Sequence, residues 1–372
     1  MAETDAIIRE GAVLLYRLFE VADEIDLEAA EARLSALAPP RRLRFARVAP
    51  RHIQLANPPV AVALPSVSVP VLGTPAAVGV EARVYDYGAI SVRLSVPLDG
   101  WTLARLHEAG HTLGSDPAID EAATRMLETL LFNLKDAVRG AHPWDCTEDY
   151  TIFFITGLSP ELSADELLGR IDVVPLLLGE GPKSRLSAQE REDVLKHRLS
   201  YGQDDLTILD WNAALVYEPS GEVDLPDILE YATSQLLELR YYDDLLDREL
   251  DRIYEKVALG SRAWNPLLPN RQAGLARQIT LLLVEVTEIT ERIENSLKVI
   301  DDLYLAKVYR AAVERFRIPR WQSSVQRKLA LVQSVHQLVM DQIRSSRSLL
   351  LEAAIVVLIV VELVLALWKA RH

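Results

Sequence analysis

From Leu275 to His372 the chain contains no glycine and a single proline, Pro319. With nothing else to break it, that stretch can only be long helix divided at one boundary. The strand signals stop at Pro226, and three helices are predicted, over roughly 226–257, 271–317 and 320–371. In the second, Leu275, Ile279, Leu282, Val286, Ile289 and Ile293 recur at steps of 4-3-4-3-4, the spacing of a heptad seam. The third repeats it at Val325, Leu329, Val332, His336, Val339 and Ile343. Two such seams predict a coiled-coil stalk, in which His336 is a register-fixing polar residue or, less simply, a pH switch or ligand.

The same helix runs into Leu349–Trp368, which holds 14 Leu, Ile or Val, three Ala, one Trp and two Glu. At about 1.5 Å per residue that length spans about 30 Å, the thickness of a bilayer's hydrocarbon core. The aliphatics contribute roughly -4 to -8 kcal/mol to insertion, against about +2 to +3 kcal/mol for a central acid. A transmembrane helix over 348–368 is therefore expected, with Leu349 and Trp368 near its ends and a short tail at 369–372. Glu352 can reach the headgroups, whereas Glu362 sits deeper and needs a proton or a polar contact in a homo-oligomer. The acidic N-terminus lacks a signal peptide. These features predict a tail-anchored, single-pass protein with its N-terminal domain in the cytoplasm, in a bacterial plasma membrane, with the lipid bilayer as partner.

Before Pro226 strand-like and helical stretches alternate. Ala12–Phe19, Ala89–Pro97, Asp149–Thr156 and Leu206–Tyr217 read as strands. Val60–Val71, broken by Pro65 and Pro70, reads as a strand pair or an edge strand. Asp26 is a helix N-cap, and Ser163 to Glu166 and Ser187 to Glu190 are capping boxes. The expected fold is an α+β head over 1–225, a helical coiled-coil stalk over 226–347 and one C-terminal transmembrane helix. The 372 residues, 49% hydrophobic, suffice for a sizeable core, and a net charge of -14 argues against binding nucleic acid. One cysteine, Cys146, excludes an internal disulfide framework.

The sharpest motif is His107-Glu-Ala-Gly-His111. Two His at i and i+4 share a helix face and can bind zinc while Glu108 activates a metal-bound water. Glu121 is the candidate third ligand. Against this, Leu103, Leu106, Gly110 and Leu113 form the core face of the same helix, which leaves both His at the flank of an ordinary packing helix. Asp243, Asp244 and Asp247 imitate the magnesium motif of isoprenoid synthases, but Arg248 and Arg252 nearby suit a solvated face better. Arg41, Arg42, Arg44, Arg47 and Arg51 form a basic cluster that could touch anionic headgroups or RNA, or be a salt-bridged turn. No catalytic or cofactor-binding residue is assigned. The first reading is a membrane-anchored, non-enzymatic scaffold or assembly factor, homo-oligomeric, with an unknown protein partner. The alternative is a membrane-tethered zinc hydrolase using His107, His111 and Glu121, with Glu108 as base.

The opening Val13-Leu-Leu-Tyr-Arg-Leu-Phe-Glu-Val-Ala-Asp-Glu-Ile-Asp-Leu27, then Arg83-Val-Tyr-Asp-Tyr-Gly-Ala-Ile-Ser-Val92, the segment Leu236–Leu250 and the terminal Leu351–Leu363 together resemble the required-for-meiotic-nuclear-division family. That resemblance implies a membrane-anchored protein with an α+β head and a helical stalk, whose mitochondrial relatives support translation at the inner membrane. It implies no catalytic residues.

Overall fold

The computed structural model describes residues 6–43, 54–55, 57–181, 184–262, 270–295, 297–298 and 304–370. In chain order the first elements are β1 (Ile7–Glu20), β2 (Ala22–Ile25), α1 (Leu27–Leu34), β3 (Arg41–Arg42), β4 (Gln54–Leu55), β5 (Val60–Val71), β6 (Thr74–Val84) and β7 (Ala89–Pro97). Then come α2 (Leu103–Leu113), α3 (Pro117–Leu134), β8 (Val138–Ala141), β9 (Thr147–Ser159), α4 (Ala164–Arg170), α5 (Val173–Leu177) and α6 (Ala188–Leu195). The rest are β10 (Arg198–Leu199), β11 (Leu206–Leu209), β12 (Ala213–Tyr217), α7 (Asp224–Arg262), α8 (Asn270–Asn295), β13 (Leu297–Lys298), α9 (Tyr304–Arg315) and α10 (Ile318–Ala370). The chain divides into two units, Met1–Tyr241 with Ile293–Trp321, and Tyr242–Arg292 with Gln322–His372.

The first unit is built on a nine-stranded sheet in the order β10-β11-β12-β9-β1-β7-β6-β5-β3. β1 is central because its run from Val13 to Phe19 is buried on both faces. It pairs antiparallel with β7 and β9, while β12 lies parallel to β9. β5 is one strand with a register shift between Leu64 and Val67, where Pro65 removes a donor. Among the described residues β3 pairs only with Val60 and Ala61 of β5, leaving both prolines of β5 beyond that pairing.

Alternation along the strands gives the sheet two different faces. Val13, Leu15, Ile90, Val92 and Leu94 join Leu106, Ala109, Ala122, Leu127 and Leu130 of α2 and α3 in an apolar core. The helices begin at real caps: Asp26 for α1, Thr102 for α2, Asp116 for α3 and a reciprocal Ser163–Glu166 box for α4. The opposite face carries Tyr16, Glu20, Arg83, Ser91 and Tyr150, all buried. Over it lies the first half of α7, buried without interruption from Asp224 to Leu239 although seven of its residues are polar or charged. α9 is tied to this unit by Arg315, which pairs with Asp193 and Asp210, and by the Tyr309 hydroxyl, which donates to Gln235.

In the second unit Ile279, Leu282 and Val286 of α8 and Val325, Val332, Val339 and Ile343 of α10 are buried, and His336 Nε2 lies 3.1 Å from the Thr280 hydroxyl. Lys328 Nζ bridges Asp243 at 2.9 Å and Asp247 at 2.6 Å. These acids of the isoprenoid-synthase-like motif therefore neutralise a lysine.

Three expectations are corrected. The head is a mixed sheet with helices on both faces, completed by residues 293–321 from beyond Pro226, not a self-contained α+β domain followed by a stalk. The single helix expected over 271–317 is two, α8 and α9, with β13 between them. Asn295, a poor helix former, ends α8. Among the described residues no helix is long and apolar enough to cross a membrane. Glu352 and Glu362 leave only Ala353–Val361 as an uninterrupted apolar run between them, about 14 Å of helix against a hydrocarbon core of about 30 Å. That overturns the transmembrane helix over 348–368 and, with it, the tail anchor, the single-pass topology and the plasma-membrane placement.

Candidate functional site

α2 starts after the Thr102 cap and turns Leu103, Leu106, Ala109, Gly110 and Leu113 into the core. His107, Glu108 and His111 are thereby left along its outer flank. A Cβ on Gly110 would stand 2.2 Å from Leu176 Cδ1 of α5 and 3.1 Å from Phe153 Cζ. The glycine of the His-Glu-Ala-Gly-His motif is thus what lets α2 approach α5 and β9. The approach leaves an open cleft of about 720 Å³, lined by His107, Glu108, His111, Thr112, Arg170 and Asp172 together with apolar neighbours.

Two of these groups are held firmly. Asp172 caps α5 and receives both guanidinium nitrogens of Arg191, at 2.7 and 3.0 Å. The Arg191 hydrogen bonds hold its carboxyl below the usual range. His111 Nδ1 lies 2.7 Å from the Gly179 carbonyl oxygen. Because that oxygen only accepts, Nδ1 carries the proton, and in the neutral ring Nε2 keeps a free lone pair. Burial lowers the His107 pKa, and the nearby Asp172 opposes that only in part. His107 Nε2 is buried without a hydrogen-bond partner. The cleft thus offers the unpartnered Nε2 of His107, an imidazole that burial biases toward its neutral form, beside a fixed carboxylate.

Of the residues singled out in the sequence, the structure brings His107, Glu108 and His111 to one cleft. Glu121 does not line it; it is exposed on α3, 3.8 Å from Arg125. Among the described residues no group of three His, Cys, Asp or Glu side chains is placed to hold a metal ion. Leu349, Glu352, Glu362 and Trp368 are exposed along α10. Arg41 and Arg42 pair with Glu81 and Glu31, while Arg44, Arg47 and Arg51 lie outside the described residues.

A second cleft, of about 460 Å³, was not legible in the sequence. Arg17, Phe19, Asp120, Trp144, Glu148 and Asp149 are among its lining residues. Arg17 is spent on Asp120 at 2.6 Å and on the Gly114 carbonyl at 2.7 Å. Glu148 pairs with Arg240, yet burial outweighs that partner and pushes its carboxyl up to about 7. The one available sign was Glu148 at the second position of a strand that turns apolar at Ile152.

A family described as "Uncharacterized protein MJ0711, N-terminal domain" matches residues 10–224. The chain belongs to that family. It is also 26% identical over 178 residues to the uncharacterized protein MJ0711 of Methanocaldococcus jannaschii, a match that covers 48% of this chain and 53% of the relative. The chain thus spans about half the length of the curated relative it matches. The matched region holds most of β1, all of β2 through β12 and both clefts, and ends where α7 begins.

Proposed function

We propose that this member of the MJ0711 N-terminal domain family is a non-enzymatic assembly protein that self-associates through the C-terminal half of α10. One observation carries the reading. The 4-3 seam that is covered at Val325, Val332, Val339 and Ile343 continues in the same register to Val357, Val360 and Val364, which are 61%, 53% and 59% exposed. A bare seam continuous with a covered one fits a second copy of the same helix, which would meet it with the same residues. Apolar surface of this extent calls for a partner. Kinship with the required-for-meiotic-nuclear-division family, through Leu236–Leu250 and Leu351–Leu363, belongs to this proposal.

Light scattering on the purified full chain tests it. The wild type is expected to be a homo-oligomer, and Val357→Glu with Val364→Glu is expected to be a monomer with an unchanged first unit. A wild type that is monomeric in detergent and floats with lipid vesicles would overturn self-association. The unpartnered Nε2 of His107 supports the zinc hydrolase as the second reading, with His107 and His111 as ligands and Glu108 as base, and with a third ligand other than Glu121, which lies outside the cleft. Stoichiometric zinc that His107→Ala removes would replace the non-enzymatic reading with that one.

A further inference from the structure

The two glutamates in the apolar end of α10 stand on one side of the helix. In the covered seam Val339 is a d position and Ile343 an a position, which makes Val357 and Val364 a positions and Val360 a d position. Glu352 then falls at c and Glu362 at f, both on the side away from the seam. They are ten residues apart in the chain, which at about 100° per residue puts them about 80° apart around the axis. Between Leu349 and Trp368 no other residue is charged, so the remaining arc of about 280° is free of charge, and the seam lies within it. One partner helix covers only the narrow a/d stripe. An arc this wide calls for more than one neighbour.

The flanks of the seam agree. In a two-stranded coil the e and g positions form the wet rim and carry the charged residues that pair across it. In the covered half of α10 they include Lys328, Gln333 and Gln342. In the apolar end they are Leu349, Ala354, Val356, Val361, Leu363 and Trp368, all of them exposed. Apolar e and g positions are covered only where each helix packs against two others. β-branched valine at both a and d, as at Val357, Val360 and Val364, also favours three strands or more over two.

We infer, building on the self-association proposed above, that the apolar ends of α10 close into a bundle of at least three copies of this chain. Positions a and d point to the common axis, e and g pack between neighbouring copies, and Glu352 and Glu362 face outward. In such a bundle every copy uses the same surface, so the assembly closes. Facing outward, Glu362 stays in water and is not the contact between helices.

Sedimentation equilibrium of the full chain counts the copies. Wild type is expected at three chain masses or more. Val361→Lys at e and Leu363→Lys at g should each bring the mass down at least twofold, whereas Ile359→Lys at c and Glu362→Lys at f should leave it unchanged. A two-stranded coil would accept lysine at e and g, where charged residues normally sit. A wild type of two chain masses would overturn the bundle and leave self-association standing, as would Val361→Lys or Leu363→Lys at the wild-type mass. Dissociation by Glu362→Lys would overturn the outward placement of that residue and the bundle with it. A wild type of one chain mass would overturn both the bundle and self-association. All four substituted residues are exposed, so the urea midpoint of the first unit is expected to stay at its wild-type value in every variant, and a mass change accompanied by a shifted midpoint would overturn the assignment of that change to the bundle.

Discussion

Replacing Arg83 with Met is the sharpest perturbation of the buried layer between the sheet and α7. Arg83 is 1% exposed and pairs with Glu230 at 2.8 Å, with Asp227, and with Glu81 at 3.2 Å. Methionine fills much of the aliphatic volume, so the main loss is electrostatic. Removing one partner of a buried ion pair costs about 3–5 kcal/mol. Proton uptake caps that figure. Burial already pushes the Glu230 carboxyl up against the pull of Arg83 and Arg93, so without Arg83 it will take a proton. For a carboxyl that ionises near 4.3 when unfolded, holding that proton at pH 7 costs about 4 kcal/mol, falling by about 1.4 kcal/mol per pH unit. The expected deficit is thus about 3–4 kcal/mol at pH 7 and about 1–2 kcal/mol at pH 5.5, plus whatever Asp227 retains. Urea unfolding followed by tryptophan fluorescence reads it, with Trp101, Trp144 and Trp211 reporting from this unit. A deficit below about 1 kcal/mol at pH 7, or an equal deficit at both pH values, would refute the assignment of Arg83 as the counter-charge of this layer.

Two other sites give direct tests. Gly110→Val places a branched side chain where even a Cβ stands 2.2 Å from Leu176 Cδ1. It should cost about 1–3 kcal/mol by overpacking, read as a lower thermal midpoint, and an unchanged midpoint would mean that α2 does not sit against α5. Burial lowers the His107 pKa, so its contribution to stability is present above the unfolded value near 6.5 and is lost as pH falls through the folded value. His107→Gln should therefore flatten the stability profile on the acid side of pH 6.5, and an unchanged profile would show that His107 stays hydrated.

Where a local rule was strong, the sequence reading and the structure agree at particular residues. β5 and β7 run over Val60–Val71 and Ala89–Pro97, the stretches marked by β-branched content and strict alternation, and Asp26 and Ser163 cap helices as their hydroxyl or carboxylate chemistry requires. Local signals could not show what pairs across the fold. Arg83 sits in a strand otherwise suited to a core, and its partners lie 144 and 147 residues away in α7. Asp172 and Arg191, which brace the His107 cleft, are joined only by tertiary structure. The absence of glycine and proline after Leu275 said helix, and helix is most of what is there, but it could not show that residues 293–321 return to the sheet.

The two faces of the sheet therefore do different work. Against α2 and α3 the contact is apolar and tolerant of small shifts, because any close-packed arrangement of aliphatic groups gains from burial. Against α7 it is ionic, and a one-residue slip of the helix would part Arg83 from Asp227 and Glu230. Such layers add little net stability, because desolvation offsets the attraction, but they penalise every wrong register. The family match ends at residue 224, and α7 begins at Asp224. Within the matched region Tyr16, Glu20 and Arg83 are all buried, yet Asp227, Glu230 and Glu238, which bury or balance them, lie beyond its end. The folding unit consequently exceeds the matched domain by at least the first half of α7, since without that helix Arg83 would lose Asp227 and Glu230 and one face of the nine-stranded sheet would lose its cover.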